Sequence, residues 1–181
     1  AFSAYLLPEV RHPHRLLQID LSTWTEKDDH NNPALLPINN DNLLAVYAKH
    51  NTDTYFYSRI IRRNFQIAEE KSFDQGARVT YSNLYKLSED DNRIYNFYRG
   101  SGWNPNLVTS DDKGLQWTDP LMIFLSGNNA TRPYVKYASN GKDRIDLFYT
   151  QGHPRKEPEN SIYHIYYQEG NFYKSDGKKI R

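Results

Sequence analysis

The sequence predicts an all-β fold, a β-propeller of four-stranded antiparallel blades. Three observations carry this: a repeat with a constant step of 51 residues, short strand-like runs within each repeat, and no stretch with a sustained helical period. The repeat shows when the segments starting at His30, Tyr81 and Arg132 are aligned without a gap. Tyr47, Tyr98 and Tyr149 then coincide, with 98 − 47 and 149 − 98 both 51, and Leu43, Ile94 and Ile145 keep the same step. Between the two apolar runs of each repeat lies a polar turn: Asn39-Asn40-Asp41-Asn42, Ser88-Glu89-Asp90-Asp91-Asn92 and Ser139-Asn140-Gly141-Lys142-Asp143. Short polar side chains favour such turns because they bond local backbone groups and tolerate left-handed conformations.

Taken in order, residues 1–29 are expected to be part of a preceding blade, and 30–80, 81–131 and 132–181 to be three blade repeats. The third repeat divides most clearly, into strands at Arg132 to Ala138, Arg144 to Thr150, Ser161 to Gln168 and Phe172 to Ser175. A closed propeller needs about four to eight blades. The chain therefore accounts for about three and a half blades of a larger, expectedly seven-bladed, propeller. The remaining blades would lie before Ala1 or beyond Arg181, or a shorter open array would be held by assembly.

Composition narrows the function classes. A chain that is 38% hydrophobic and 25% charged lacks the apolar runs of a membrane protein, so no membrane partner is expected. With no cysteine, neither a disulfide frame nor a thiolate metal site can form, and six histidines alone give no metal-ligand pattern; no metal and no cofactor is expected. A net charge of +1 provides no basic field, which argues against nucleic acid as a partner. No signal peptide is visible at Ala1-Phe2-Ser3, so the residues leave the compartment open.

Ser110, Asp112, Gly114 and Trp117 fit the pattern Ser-x-Asp-x-Gly-x-x-Trp. This resembles the Asp-box, or BNR repeat, of sialidase-like propellers, a turn between the third and fourth strands of a blade. Its expected role is structural: Asp112 accepts turn N–H groups, Gly114 takes positive φ and Trp117 buries its ring between sheets. The segments His30-Asn31-Asn32-Pro33, Tyr81-Ser82-Asn83, Phe97-Tyr98-Arg99-Gly100, Arg132-Pro133-Tyr134-Val135 and Gly152-His153-Pro154-Arg155 extend the likeness. Together they resemble the BNR-repeat branch that includes ulvan-lyase-type polysaccharide lyases and rhamnosidase-like propellers. The resemblance implies a periplasmic or extracellular protein acting on an anionic polysaccharide or oligosaccharide.

Topology alone gathers the polar candidates on one rim. The first strand of a blade starts on the face where the second, antiparallel strand ends. His30, Tyr81 and Arg132 are expected at the starts of three first strands, ringing the axis. His50 and Arg99 follow second strands, and Trp103, His153 and Arg155 lie in the loops beyond. This composition suits β-elimination on a uronate. Arg99 would neutralise the carboxylate, and His30 and Tyr81 are candidates for base and acid, unassigned between them, as the resemblance also implies. His50, Trp103, Arg132, Tyr134, His153 and Arg155 would bind or position the sugar. The alternative for Arg99 is a surface ion pair with Asp90 or Asp91. A glycosidase on the same scaffold would need paired carboxyl groups that this rim does not offer, and a non-catalytic carbohydrate-binding propeller would use the same residues for grip alone.

Overall fold

The computed structural model describes residues 3–6, 17–21, 30–125, 132–153, 157 and 159–180. Arg155, expected at the rim, lies outside the described residues, as does most of the 1–29 segment. From that segment two strands are described, β1 (Ser3–Leu6) and β2 (Leu17–Asp20), paired antiparallel.

Three four-stranded antiparallel sheets follow, each in simple sequence order. The first comprises β3 (Ala34–Asn39), β4 (Asn42–Ala48), β5 (Tyr55–Arg62) and β6 (Lys71–Asp74). The second comprises β7 (Thr80–Leu87), β8 (Arg93–Arg99), β9 (Pro105–Ser110) and β10 (Leu121–Met122). The third comprises β11 (Tyr134–Ser139), β12 (Arg144–Thr150), β13 (Ile162–Gln168) and β14 (Asn171–Lys174). The strands expected in the third repeat thus differ from the observed ones by two residues or fewer at each end.

The second strand of each sheet explains the stacking. Successive strand side chains point to opposite faces, and on β4 and β8 both faces are apolar. Leu44, Val46 and Ala48 of β4 join Leu84, Ile94, Tyr98 and Val108 of the second sheet in one core cluster. Tyr95 and Phe97 of β8 turn the other way and join Ile145, Leu147, Ile165 and Tyr167 of the third sheet. The opposite face of β4, Ala45 and Tyr47, packs with Leu21 at the end of β2. Each sheet is therefore sealed to its neighbour by its central strand, with full burial of each such aliphatic side chain worth about 1.5–3 kcal/mol.

The tyrosines of the 51-residue step sit on these seams. Tyr47 Oη donates to the Leu21 carbonyl at 3.0 Å and lies 2.5 Å from Glu70 Oε2. Tyr98 Oη donates to Gln75 Oε1 of the preceding sheet at 2.8 Å. Burial raises the pKa of both phenols and keeps them neutral.

The 110–117 turn joins β9 to β10 and is closed by its own side chains. Asp112 Oδ1 accepts from the Ser110 hydroxyl at 2.8 Å and from the Leu115 and Gln116 N–H groups at 3.0 and 2.9 Å. Ser110 Oγ accepts from the Gly114 N–H at 2.8 Å, and Gly114 takes φ +86°. The half-buried Trp117 ring stands edge-on to Phe56 and Phe73 of the first sheet, at 5.4 and 6.4 Å between centroids.

One difference from the gapless repeat matters for function. Tyr85 pairs with Tyr95, and a step of 51 from this pair would set Ala34 opposite Leu44 and Lys136 opposite Asp146. The observed partners are Val46 and Phe148, two residues further on. The first hairpin of the second sheet is thus slid by two residues relative to its neighbours. An even slide leaves every side chain on its proper face, so the apolar pattern is unchanged. The slide is accompanied by an irregularity between Thr80 and Asn83, within which Tyr81 takes φ +61°.

Candidate functional site

The slide decides which residues meet. Arg99 ends β8, and the residue opposite it is Thr80, beside Tyr81; at the corresponding place in the third sheet Thr150 faces Tyr134. By pairing register, then, Tyr134 is level with Thr80, the neighbour of Tyr81, although sequence alignment matches Tyr81 with Arg132. The Tyr81 bulge is supported by Asn83, whose Nδ2 donates to the Tyr81 carbonyl at 2.7 Å and the Phe97 carbonyl at 3.2 Å. Bulges of this kind re-aim a side chain.

The result is a continuous file of rings and cations across the rim. His50 stacks on His30 with 4.1 Å between centroids and 8° between planes. His30 meets Tyr81 at 5.3 Å. The Arg99 guanidinium lies 4.9 Å from the Tyr81 ring centre and 4.5 Å from that of Tyr134. Tyr134 meets His153 edge-on at 5.1 Å. Arg132 instead lies over Trp103, at 4.1 Å, and does not share the cavity that His30 and Tyr81 line. The register of the first and third sheets is the same and keeps His30 level with Arg132, whose strands begin four and two residues later, at Ala34 and Tyr134; the second hairpin is the one displaced.

Arg99 does not make the surface ion pair weighed as its alternative. Asp90 is engaged by Arg93 at 3.5 Å and by a short hydrogen bond from Tyr95. The Arg99 Nη2 donates to the Pro133 carbonyl at 3.3 Å, and no ion pair joins it to a carboxylate among the described residues. Stacking between two tyrosines fixes the guanidinium plane by cation–π attraction while leaving edge donors for a ligand.

Two cavities open along this file. The smaller, about 170 Å³, is lined by Tyr81, Asn83, Arg99, Trp103, Tyr134 and Lys136 among others, with Tyr98 and Tyr137. The larger, about 550 Å³, is lined by His30, Asn32, Tyr81, Asn83, Tyr85 and Lys136 with their neighbours. Among the described residues, neither lining contains an aspartate or glutamate. Asn83 and Lys136 were missed by sequence reasoning. Asn83 follows Tyr81 by two residues and its turn-forming chemistry was the available signal; nothing local marked Lys136. Among the described residues no three histidine, aspartate or glutamate side chains are grouped to hold a metal, and no helix is long and apolar enough to cross a membrane.

The arrangement of stacked sheets and a rim file agrees with what comparison finds. Residues 9–181 match the family described as BNR repeat-containing. The chain belongs to this BNR repeat-containing family. No curated protein matches it. Among solved structures, it is similar to a polysaccharide lyase, the PL25 ulvan lyase, bound to a GlcA(1-4)Rha3S saccharide, with a TM-score of 0.65 at 15% identity over 92% of this chain. A second structure of a PL25 ulvan lyase gives a TM-score of 0.65 at 16% identity, again over 92%. The chain spans 46% of the length of each of those proteins. At such identity the likeness establishes a propeller-like fold for this member of the family.

Proposed function

We propose that this family member is a carbohydrate-active, extracellular or periplasmic propeller that cleaves a uronate-containing polysaccharide by β-elimination. The observation that carries the reading is the Arg99 guanidinium, with no ion pair to a carboxylate among the described residues, held between Tyr81 and Tyr134, with His30 against Tyr81 and no aspartate or glutamate among the described residues that line the two cavities. The absence of aspartate and glutamate from the described residues of those linings disfavours glycoside hydrolysis, which ordinarily needs two carboxyl groups. The similarity to ulvan lyases adds support at the level of scaffold. In this reading residues 30–80, 81–131 and 132–181 are blades of a seven-bladed ring, and the 110–117 turn is an Asp-box with a structural role.

Arg99 receives the uronate carboxylate through paired charge-assisted hydrogen bonds, which makes the C5 proton more acidic. One of His30 and Tyr81 removes that proton, and the electron pair forms the C4–C5 double bond as the C4–O bond breaks. The other delivers a proton to the departing glycosidic oxygen. The His50 stack positions His30, Tyr134 fixes Arg99, and Trp103, Arg132, His153 and Arg155 bind the flanking sugar.

The test is incubation with uronate polysaccharides while following the ultraviolet absorbance of the unsaturated product. Tyr81→Phe removes only a hydroxyl and should lower turnover about 10²–10⁴-fold. Arg99→Lys keeps the charge but loses the planar fit, so kcat should fall more than affinity. Saturated products would establish hydrolysis, and binding without turnover a carbohydrate-binding propeller. Parental turnover in both Tyr81→Phe and His30→Ala would remove these residues from the chemistry.

A further inference from the structure

Asn96 departs from the repeat at a core position. Its equivalents at the 51-residue step are Ala45 and Leu147, and all three are 0% exposed, so the position belongs to the packing between sheets. Asn96 lies opposite Leu84 on one side and Val108 on the other, two members of the core cluster shared with the first sheet. Neither its Nδ2 nor its Oδ1 has a hydrogen-bond partner among the described residues. A buried amide left unpaired is costly, and native cores seldom keep one without a partner of some kind.

A second such group lies on the same face. Ser82 stands two residues before Leu84, and strand alternation returns it to the face of Asn96. It lines the larger cavity beside Ala34 and Leu35 of the first sheet, yet its Oγ is buried and also has no partner among the described residues. Diagonal neighbours on an antiparallel pair are about 7–8 Å apart, a span that two short side chains leave open and one water closes. The Ser82 hydroxyl and the two ends of the Asn96 amide supply the polar contacts that a buried water needs, typically about three.

We propose that Ser82 and Asn96 hold an ordered water in the seam between the first and second sheets, and that this water is a second support of the Tyr81 bulge. Asn83 ties the bulge from the opposite face, through the Tyr81 and Phe97 carbonyls. The water ties Ser82, the residue between Tyr81 and Asn83, to β8. Asn96 is then a positioning residue, which touches no substrate and acts through Tyr81. The inference rests on the role given to Tyr81 in the proposed reaction.

Crystal structures of the whole chain and of its Asn96→Leu and Ser82→Ala variants test this, together with kinetics on uronate polysaccharides. The parent should show a water within hydrogen-bond distance, about 2.7–3.2 Å, of Ser82 Oγ and an Asn96 amide atom. Both variants should lose it and move Tyr81 from its φ of +61°. Leucine already fills the equivalent place in the third sheet, so Asn96→Leu should fold. Each variant should lower kcat about 10- to 100-fold with KM within about twofold of the parent, as for a misplaced reacting group. The double variant should be no slower than the slower single one, because both remove the same water. A seam without that water, or parental kcat in both variants, would overturn the inference. So would a higher melting temperature of Asn96→Leu with Tyr81 unmoved, the mark of an amide that was unpaired. If the parent cleaves no uronate polysaccharide, the lyase reading falls and the structures alone decide: loss of the water together with movement of Tyr81 upholds the inference, and an unmoved Tyr81 overturns it.

Discussion

Gly114→Ala tests how the turn of one sheet is locked to the core of another. Gly114 is buried at φ +86°, and a Cβ built there would lie 2.7 Å from Leu44 Cδ2 and 3.0 Å from Leu44 Cδ1. Leu44 is 0% exposed, in the core cluster between the first two sheets. Left-handed backbone costs an L-residue about 1–2 kcal/mol, and overpacking a filled core costs about 1–3 kcal/mol. The reduced freedom of the unfolded chain returns about 0.4–1 kcal/mol, so a net loss of about 2–4 kcal/mol is expected. Urea denaturation followed by tryptophan fluorescence measures it. A double-mutant cycle with Leu44→Val separates the two causes, since shortening Leu44 removes the clash and leaves the backbone strain. Coupling of about 1–3 kcal/mol between the sites is expected. A Gly114→Ala protein within 0.5 kcal/mol of the parent, or the same loss in both backgrounds, would refute the contact between turn and core.

Two further outcomes follow from the same geometry. Burial acts to raise the Asp112 pKa, but bonds from the Gln116 N–H, the Ser110 hydroxyl and the Leu115 N–H outweigh it and hold the carboxyl below its usual range. A depressed folded pKa contributes stability above the unfolded value and loses it as pH falls through the folded one. The stability gap between parent and Asp112→Asn should therefore be full near neutrality and close below about pH 4, the ordinary aspartate region; a gap that widens on acidification would contradict this. Asn83→Ala removes the amide that donates to the Tyr81 and Phe97 carbonyls, and should cost about 1–2 kcal/mol in urea. It should also lower kcat more than it raises KM, and a change in KM alone would deny Asn83 a positioning role.

Much of this was legible in sequence. The constant step of Tyr47, Tyr98 and Tyr149 marked the seams, because a residue packed between sheets must recur with the sheet. Asp112, Gly114 and Trp117 identified a turn whose bonds are all local, and local chemistry is what a sequence displays. What stayed hidden was the two-residue slide of the second hairpin. Apolar alternation has period two and is indifferent to an even shift, so a gapless alignment set Tyr81 level with Arg132, whereas pairing sets its neighbour Thr80 level with Tyr134. Lys136 was invisible for a related reason: its neighbours in space come from three sheets, and nothing beside it in sequence marks it.

The rim also shows why the site belongs at a seam between sheets. Tyr81 and Trp103, both lining the Arg99 cavity, are non-glycine residues at φ +61° and +66°. Each such conformation costs about 1–3 kcal/mol and persists only where surrounding bonds over-determine it. Asn83 supplies those bonds for Tyr81. For Trp103 they come from the Ser101–Trp103 turn: its N–H donates to Gly100 at 3.0 Å, and Asn104 Nδ2 reaches the Ser101 and Gly102 carbonyls at 3.2 and 3.3 Å. Both supports depend on an asparagine amide anchored beside a strand of the second sheet, which is packed on both faces by its neighbours. The strained aromatics can be held in place because that sheet cannot relax toward either side. The surface that presents Arg99 between two tyrosines is thus formed before any ligand arrives, so binding need not meet the cost of ordering it.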